Sequence, residues 1–268
     1  MKKIYVGVVG ATGRMGRMII NAIIQNENIE LSAALEQARS SYIGKNIGDI
    51  LGVPEIEVPI TDDVDEFIEG SDVIIDFSAV SATLNLLKKI KDRSKKIVIG
   101  TTGFTNKENK VIQNFSKSNA VVFSPNMSIG VNLLFKIVEE TAKIVGMNYD
   151  IEIVEAHHNK KKDSPSGTAL KLAEVAAAAV NRDLQKCAVY GRKGVTGERT
   201  AKEIGILAVR AGDIVGEHTV MFAGPGERIE LIHRAHSRST FASGAVRAAE
   251  WVASKKNGLY SMTDVLGL

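Results

Sequence analysis

Residues 155–170 read EAHHNKKKDSPSGTAL, two adjacent histidines and three consecutive lysines immediately ahead of a helix start. Asp163 or Ser164 is placed to cap that helix, and Pro165 suits its first turn, where a missing N–H costs nothing. Ser166, Gly167 and Thr168 fall in the same turn, so free amides and two hydroxyls make an anion pocket that glycine lets a ligand approach closely. Lysines upstream add positive potential to a helix end that is already positive, which opposes the helix unless an anion sits there. The implied ligand is therefore negative, and a lysine aimed at a carboxylate gains about 1.5–3 kcal/mol from one charge-assisted hydrogen bond. His157 and His158 end an extended run, so their side chains point to opposite faces and only one faces the reaction. A histidinium there can donate a proton, and neighbouring anions would hold its pKa up. No metal is expected, because HH in a strand chelates badly and no Cys or carboxylate stands at a ligand spacing. On this segment alone, a solvated His-Lys loop before a well-capped helix is the alternative.

A second signal lies near the start of the chain. GATGRMG spaces Gly10, Gly13 and Gly16 three apart, after the apolar run KIYVGVV and before the helical RMIINAII. Glycines are wanted there so that the chain turns tightly, a pyrophosphate reaches bare backbone, and the helix packs close to the sheet. Glu36 ends the next apolar run 20 residues past Gly16, where an acidic side chain accepts hydrogen bonds from ribose hydroxyls. A tight turn without ligand is the competing explanation. Glu36 favours NADH and repels a 2′-phosphate, Gln37 is neutral, and Arg39 or Arg14 can still reach such a phosphate, so NADH and NADPH both stay open. GTTG at 100–103 and SPNM at 124–127 each follow an apolar run, at the carboxyl ends where open parallel sheets hold ligands; ordinary loop chemistry is the other reading of both.

The elements that must position these residues are legible in the hydrophobic pattern. Runs at 3–9, 29–35, 72–77, 96–100 and 120–123 are short, β-branched and stopped by Gly, Ser or a charge, and helical spacing occupies 14–26, 79–91 and 106–117 between them. That alternation predicts an α/β, doubly wound, Rossmann-type parallel sheet over residues 1–127 that binds the dinucleotide. A helix at 129–146 then opens a substrate-binding and oligomerisation domain, 128–238, of smaller α+β type. Its strands are expected at 149–156, 203–210, 214–223 and 227–235, with a helix at 166–180 on one face. The short turns AGD and GPG predict that the last three strands are hairpin neighbours, in a mixed, largely antiparallel sheet. Several of these strands read apolar on both sides, which predicts self-association. The C-terminal helical stretch, 239–268, is expected to pack back onto the first domain.

Composition bounds the partners. The chain has 268 residues, 44% of them hydrophobic, and 34 Lys and Arg against 31 Asp and Glu give a net charge of +3. No long basic stripe or aromatic platform supports nucleic-acid binding. The apolar N-terminus is interrupted by glycines and Arg14 before it reaches signal or membrane length, and one cysteine, Cys187, suits a reducing compartment, so a cytoplasmic protein with no membrane or nucleic-acid partner is expected.

With both signals in view, the chain resembles the dihydrodipicolinate (4-hydroxy-tetrahydrodipicolinate) reductase family of lysine and diaminopimelate biosynthesis. The resemblance runs nearly end to end through GATGRMG, ALE, DVIIDFS, IGTTGF, SPNMSIGVN, EAHHNKKKDSPSGTA and VGEHTVMFAGPGERIELIHRAHSR. The family's segment E-x-H-H-x-x-K-x-D-x-P-S-G-T-A aligns without a gap. The resemblance implies His157 as catalytic proton donor and Lys161 as its partner in substrate binding and protonation. It implies His158, Ser166, Gly167 and Thr168 as contacts to the carboxylates of a cyclic dicarboxylate. For NADH or NADPH it implies Gly10, Ala11, Thr12, Gly13, Arg14 and Met15, then Glu36, then Gly100, Thr101 and Thr102, and finally Ser124, Pro125, Asn126 and Met127. It also implies a homotetramer. Two features depart from the pattern: Gln37 stands where many relatives carry arginine, and only Lys161 of the three lysines matches, which leaves Lys160 and Lys162 solvated. Another two-domain dehydrogenase and a cofactor sensor without chemistry are the alternatives. Against the first stand Cys187, which has no supporting base, and the absence of an E-K-P segment; against the second, a proton donor beside a carboxylate pocket has no use in a sensor.

Overall fold

The computed structural model describes residues 3–146 and 148–268. Along the chain run β1 (Ile4–Val9), α1 (Arg14–Ile24), β2 (Ile29–Leu35), α2 (Ile47–Leu51), β3 (Ile60–Thr61), α3 (Val64–Glu69), β4 (Val73–Asp76), α4 (Val80–Ile90), β5 (Lys96–Ile99), α5 (Asn106–Ser116) and β6 (Ala120–Phe123). There follow α6 (Ile129–Val145), β7 (Asp150–His157), α7 (Gly167–Ala179), α8 (Leu184–Cys187), β8 (Ala188–Val189), β9 (Ile204–Arg210), β10 (Gly216–Gly224), β11 (Glu227–Ala235), α9 (Ser239–Ala253), β12 (Gly258–Tyr260) and α10 (Met262–Leu266). The chain divides into two compact units, one made of the residues up to Ile129 with Arg238–Gly267, the other of Gly130–Ser237.

The first unit is a seven-stranded sheet in the order β12-β6-β5-β4-β1-β2-β3, with every paired neighbour parallel. Its central strands are apolar continuously because both faces are covered. Ile75, Val98 and Val122 face a core shared with α1 and α9, whereas Ile74, Ile97 and Val121 face one shared with α3, α4 and α5. Each such fully buried side chain contributes about 1.5–3 kcal/mol of transfer free energy. α9 lies close because it is lined with small residues: Ala242, Ala245, Ala248 and Ala249 are fully buried, and a Cβ on Gly244 would strike the Met127 carbonyl. Contrary to the sequence pattern, the C-terminal stretch is not helical throughout. The helix stops at Ala253, and the chain then adds β12 beside β6, anchored by the Gly258 amide donating to the Asn119 carbonyl at 3.0 Å. A three-residue strand is too short to show a period.

The second unit carries a five-stranded mixed sheet, β11-β10-β7-β9-β8. α6 and α7 cover one face, with Leu134, Val138, Leu172 and Ala176 packing on Ile151, Ile153, Val220 and Phe222. β10 and β11 form the expected hairpin across GPG. The AGD turn does not make one: β7 sits between β9 and β10, antiparallel to β10 and parallel to β9. The segment after β9 instead crosses the end of β7, where the amides of Ala211, His158 and Asn159 bond to the carbonyls of His157, Ile214 and Gly212 at 2.9, 2.8 and 3.1 Å. On the opposite face Val154, Thr219 and Met221 are half-buried, and Ile232 and Val209 are exposed. Among the described residues no helix is long and apolar enough to cross a membrane.

Candidate active site

Sheet register builds the chemistry of the second unit. Side chains alternate along β7, so Ile151, Ile153, Glu155 and His157 share one face, and the same face passes from apolar to polar toward the strand's carboxyl end. Glu155 lies opposite His218 of β10, His218 opposite His233 of β11, and His157 opposite both Arg210 of β9 and, one step along β10, the neighbourhood of Gly216. Strands that are distant in sequence thereby deliver one row of polar groups just past the edge of the α7 core.

Glu155 is the hub of that row. It is fully buried, and its two oxygens accept from Arg210 Nη1 and Nη2, both at 2.8 Å, in a forked pair. The Ser166 amide donates to Oε1 at 3.0 Å, and His157 Nδ1 lies 2.6 Å from Oε2. Burial pulls the Glu155 pKa upward, but the hydrogen bonds from Arg210, His157 and Ser166 outweigh it and the net direction is down. An ionised carboxylate only accepts, so His157 carries a proton on Nδ1. Burial is the largest influence on His157 and, together with the charges of Lys161 and Arg210, outweighs the bond and charge of Glu155, so the net direction of its pKa is down. The protein's own groups therefore do not raise the His157 pKa in the way expected from the sequence. His218, whose ring stands 5.2 Å from that of His157, is driven by burial down to about 3, so it is neutral.

The α7 start differs from the expected cap. Ser166, not Asp163 or Ser164, is the N-cap, accepting from the Ala169 amide at 3.1 Å while its hydroxyl lies 3.1 Å from His218 Nε2. Pro165 precedes the cap through a cis bond from Ser164, so it lies outside the helix rather than in its first turn. Gly167 is the first helical residue and is exposed; a Cβ there would meet nothing within 4 Å. Neither its backbone angles nor its packing requires glycine, so the open space suits a ligand lying on its amide. Thr168 is half-buried beside it. Lys161 is mostly covered, and its ammonium holds both oxygens of Asp163 at 2.9 Å, which keeps the Asp163 carboxyl below its usual range. Lys160 and Lys162 are exposed, as expected of solvated residues. His158 is half-buried, and its Nδ1 has no hydrogen-bond partner among the described residues.

In the first unit, Gly10 takes a left-handed backbone at φ +68°, and a Cβ on Gly16 would strike the Gly10 carbonyl. Glu36 is tied to the loop: its Oε1 accepts from the Thr12 amide at 2.9 Å and the Thr12 hydroxyl at 2.6 Å, and its Oε2 from the Gln37 amide at 3.2 Å. Arg14, Met15 and Gly16 open α1, where amides have no intrahelical acceptor. A cleft of about 780 Å³ runs past Gly10, Glu36, Gln37, Ser78, Lys88 and Lys89. Its cations come from α4 and not from Arg39, a pair that the loop-centred reading of the sequence missed. A second cavity of about 280 Å³ is lined by Arg14, Met15, Phe77, Gly100, Asn126 and Met127, with Arg238 and Phe241 from the α9 end. Ala11 is fully buried, and Thr101 is buried with its hydroxyl 3.1 Å from that of Thr83, so both shape the loops and leave only backbone to a ligand. Ser124 likewise turns inward, donating to the Asn126 carbonyl at 2.9 Å, while Pro125 and Thr102 are exposed. The glycine cradle, the helix start and the anchored carboxylate fit a dinucleotide. Among the described residues no cluster of three metal-ligating side chains occurs.

A chain with this parallel sheet, this glycine cradle and a poised imidazole on a second sheet is an oxidoreductase that works with NAD(P)H. Residues 4–127 match the family model described as dihydrodipicolinate reductase, N-terminus, and residues 130–266 match its C-terminus counterpart. The chain belongs to the dihydrodipicolinate reductase family. It is 51% identical over 263 residues to the 4-hydroxy-tetrahydrodipicolinate reductases of Hahella chejuensis and of Geotalea daltonii, covering 98% of either partner in both pairings. Among solved structures it is similar to the dipicolinate-bound dihydrodipicolinate reductase from Paenisporosarcina sp. TG-14, with a TM-score of 0.74, 26% identity, and 98% and 99% of the two chains covered. Myo-inositol dehydrogenase from Lactobacillus casei shares the fold at a TM-score of 0.63 and 14% identity, over 98% of this chain and 91% of that one.

Proposed function

We propose that the protein reduces dihydrodipicolinate, which forms from 4-hydroxy-tetrahydrodipicolinate by loss of water, to tetrahydrodipicolinate, with His157 as proton donor and Lys161 as carboxylate anchor. One observation carries the reading: an imidazole held by a buried carboxylate stands beside a helix start whose glycine leaves room for an anion. NAD(P)H, when bound, supplies the hydride to C4 of the unsaturated ring. The chain's own residues do the rest. The amides of Gly167 and Thr168 and the Thr168 hydroxyl receive one carboxylate at the turn that the buried Ser166 cap holds in place, and Lys161 leaves Asp163 for the other, with His158 beside it. Because Glu155 fixes the proton on Nδ1, Nε2 is the atom that gains a proton when the dianion arrives and gives it to the ring carbon next to C4, completing the two-electron reduction. Oxidation of reduced nicotinamide, followed in the near ultraviolet on adding freshly generated substrate, tests this; no oxidation at micromolar enzyme would overturn it. The dinucleotide belongs to the unit with the glycine loop and the substrate to the other.

We further read the protein as a cytoplasmic homotetramer. The half-buried second face of the mixed sheet, with Ile232 and Val209 exposed, supports self-association, and the single free Cys187 suits a reducing compartment. Sedimentation equilibrium reads the subunit number, and a monomer would overturn that part.

A further inference from the structure

The proton donor is one residue, yet four neighbours from three strands and a loop press on it: Glu155 from β7 itself, Arg210 from β9, His218 from β10, and Lys161 from the loop that follows β7. We propose that Glu155, clamped by Arg210, is a positioning residue that fixes the tautomer and direction of His157, and that Gly216 is the gap that lets the ring take that direction. The proposal rests on the reading of His157 as proton donor.

The geometry supports each part. Glu155 spends both oxygens on donors: Oε2 faces His157 Nδ1 and Arg210 Nη1, and Oε1 faces Arg210 Nη2 and the Ser166 amide. With Nδ1 committed as a donor, only Nε2 can take up and release a proton. A Cβ built on Gly216 would lie 3.0 Å from that Nε2, and Gly216 has no positive φ that would demand glycine. Its missing side chain therefore matters to the imidazole and not to the strand. His218, neutral and packed edge-on at 5.2 Å, adds bulk without a competing charge.

Glu155→Gln tests the clamp without changing its shape. An amide must turn its NH2 toward one of two places already filled by donors, so the ring either loses its anionic partner or flips its tautomer. We expect kcat to fall about 100-fold, between the effect of losing an outer-shell partner and that of a wrong catalytic tautomer. The KM for substrate and the NADH Kd should stay within about threefold. The alkaline fall of kcat/KM should move to lower pH, because the anion that held the proton on His157 is gone; a purely structural role would not shift it. Gly216→Ala keeps every charge and displaces the ring by a few tenths of an ångström, for an expected loss of about three- to tenfold in kcat. Independent of any variant, 15N-histidine NMR of the wild-type protein should show the neutral His157 protonated at Nδ1. A folded Glu155→Gln protein with unchanged kcat and pH profile, or a wild-type ring protonated at Nε2, would overturn the proposal. If His157→Ala keeps full turnover the reading of the donor fails; if that variant is inactive while Glu155→Gln is not, only the clamp fails.

Discussion

At the scale of single residues, the protein's own groups act on His157 in one direction and a bound dianion would act in the other. Burial, together with Lys161 and Arg210, outweighs Glu155 and lowers the His157 pKa, so at neutral pH the imidazole carries a single proton. A dicarboxylate placed against Lys161 and the α7 start would push that pKa up, so proton uptake accompanies binding. Calorimetry of dipicolinate binding in buffers of different ionisation enthalpy should therefore show uptake approaching one proton near neutral pH, with affinity falling as pH rises through the bound-state pKa. Binding without proton uptake would contradict this. Glu36 sets the second residue-scale expectation. Its carboxylate is pinned by Thr12 and cannot swing away from a 2′-phosphate, yet Lys88 and Lys89 line the same cleft. Glu36→Gln should raise NADPH affinity relative to NADH about tenfold, read by competing titrations, since one like charge removed at contact range in a polar cleft is worth about 1–2 kcal/mol.

At the scale of elements, two glycines with the same apparent purpose separate fold from function. Gly16 closes α1 against the Gly10 carbonyl, whereas Gly167 has open space where a side chain would go. Gly16→Ala should lower the melting temperature and nucleotide affinity together. Gly167→Ala should leave stability unchanged or raised by up to about 1 kcal/mol, because alanine is the better helix former, while dipicolinate affinity drops tenfold or more. Differential scanning fluorimetry with ligand titrations checks both. The strands and helices that carry these sites were readable because buried parallel strands are unbroken β-branched runs and α1, α4 and α5 keep a helical period; observed ends differ from expected ones by a residue or two. The AGD turn shows where such reading stops. Turn chemistry announces that the chain reverses, but which strand lies alongside depends on β7 inserting between β9 and β10, a long-range fact. Arg210 and His218 were invisible as site residues for the same reason, since only register brings them to Glu155. Glu155 itself had a usable signal, its spacing of two from His157 on a strand.

At the scale of the whole molecule, the buried imidazoles make acid a specific threat. His218 is 4% exposed and its pKa is driven from 6.5 to about 3 in the folded state. A base whose folded pKa is depressed binds more protons when unfolded, so its neutral burial favours the native state only above the unfolded value. Stability should fall as pH drops from about 6.5 toward about 3, by an amount on the order of 5 kcal/mol from this group alone. Urea titrations across that range should show it, and His218→Asn should flatten the slope; a parallel slope in the variant would assign the acid loss elsewhere. The segment motifs were legible because phosphate and carboxylate recognition by backbone amides uses contiguous residues, and the structure puts GATGRMG at the start of α1 and PSGT at the start of α7. What the sequence left out was the second layer that aims the chemistry.

The most direct test of the central claim is the steady-state kinetics of His157→Ala with the cyclic dicarboxylate substrate. With His157 as proton donor, kcat should fall about 100-fold or more, the contribution of a positioned general acid, while KM changes by less than about threefold. An unchanged kcat with a large rise in KM would make His157 a carboxylate ligand instead of the proton donor.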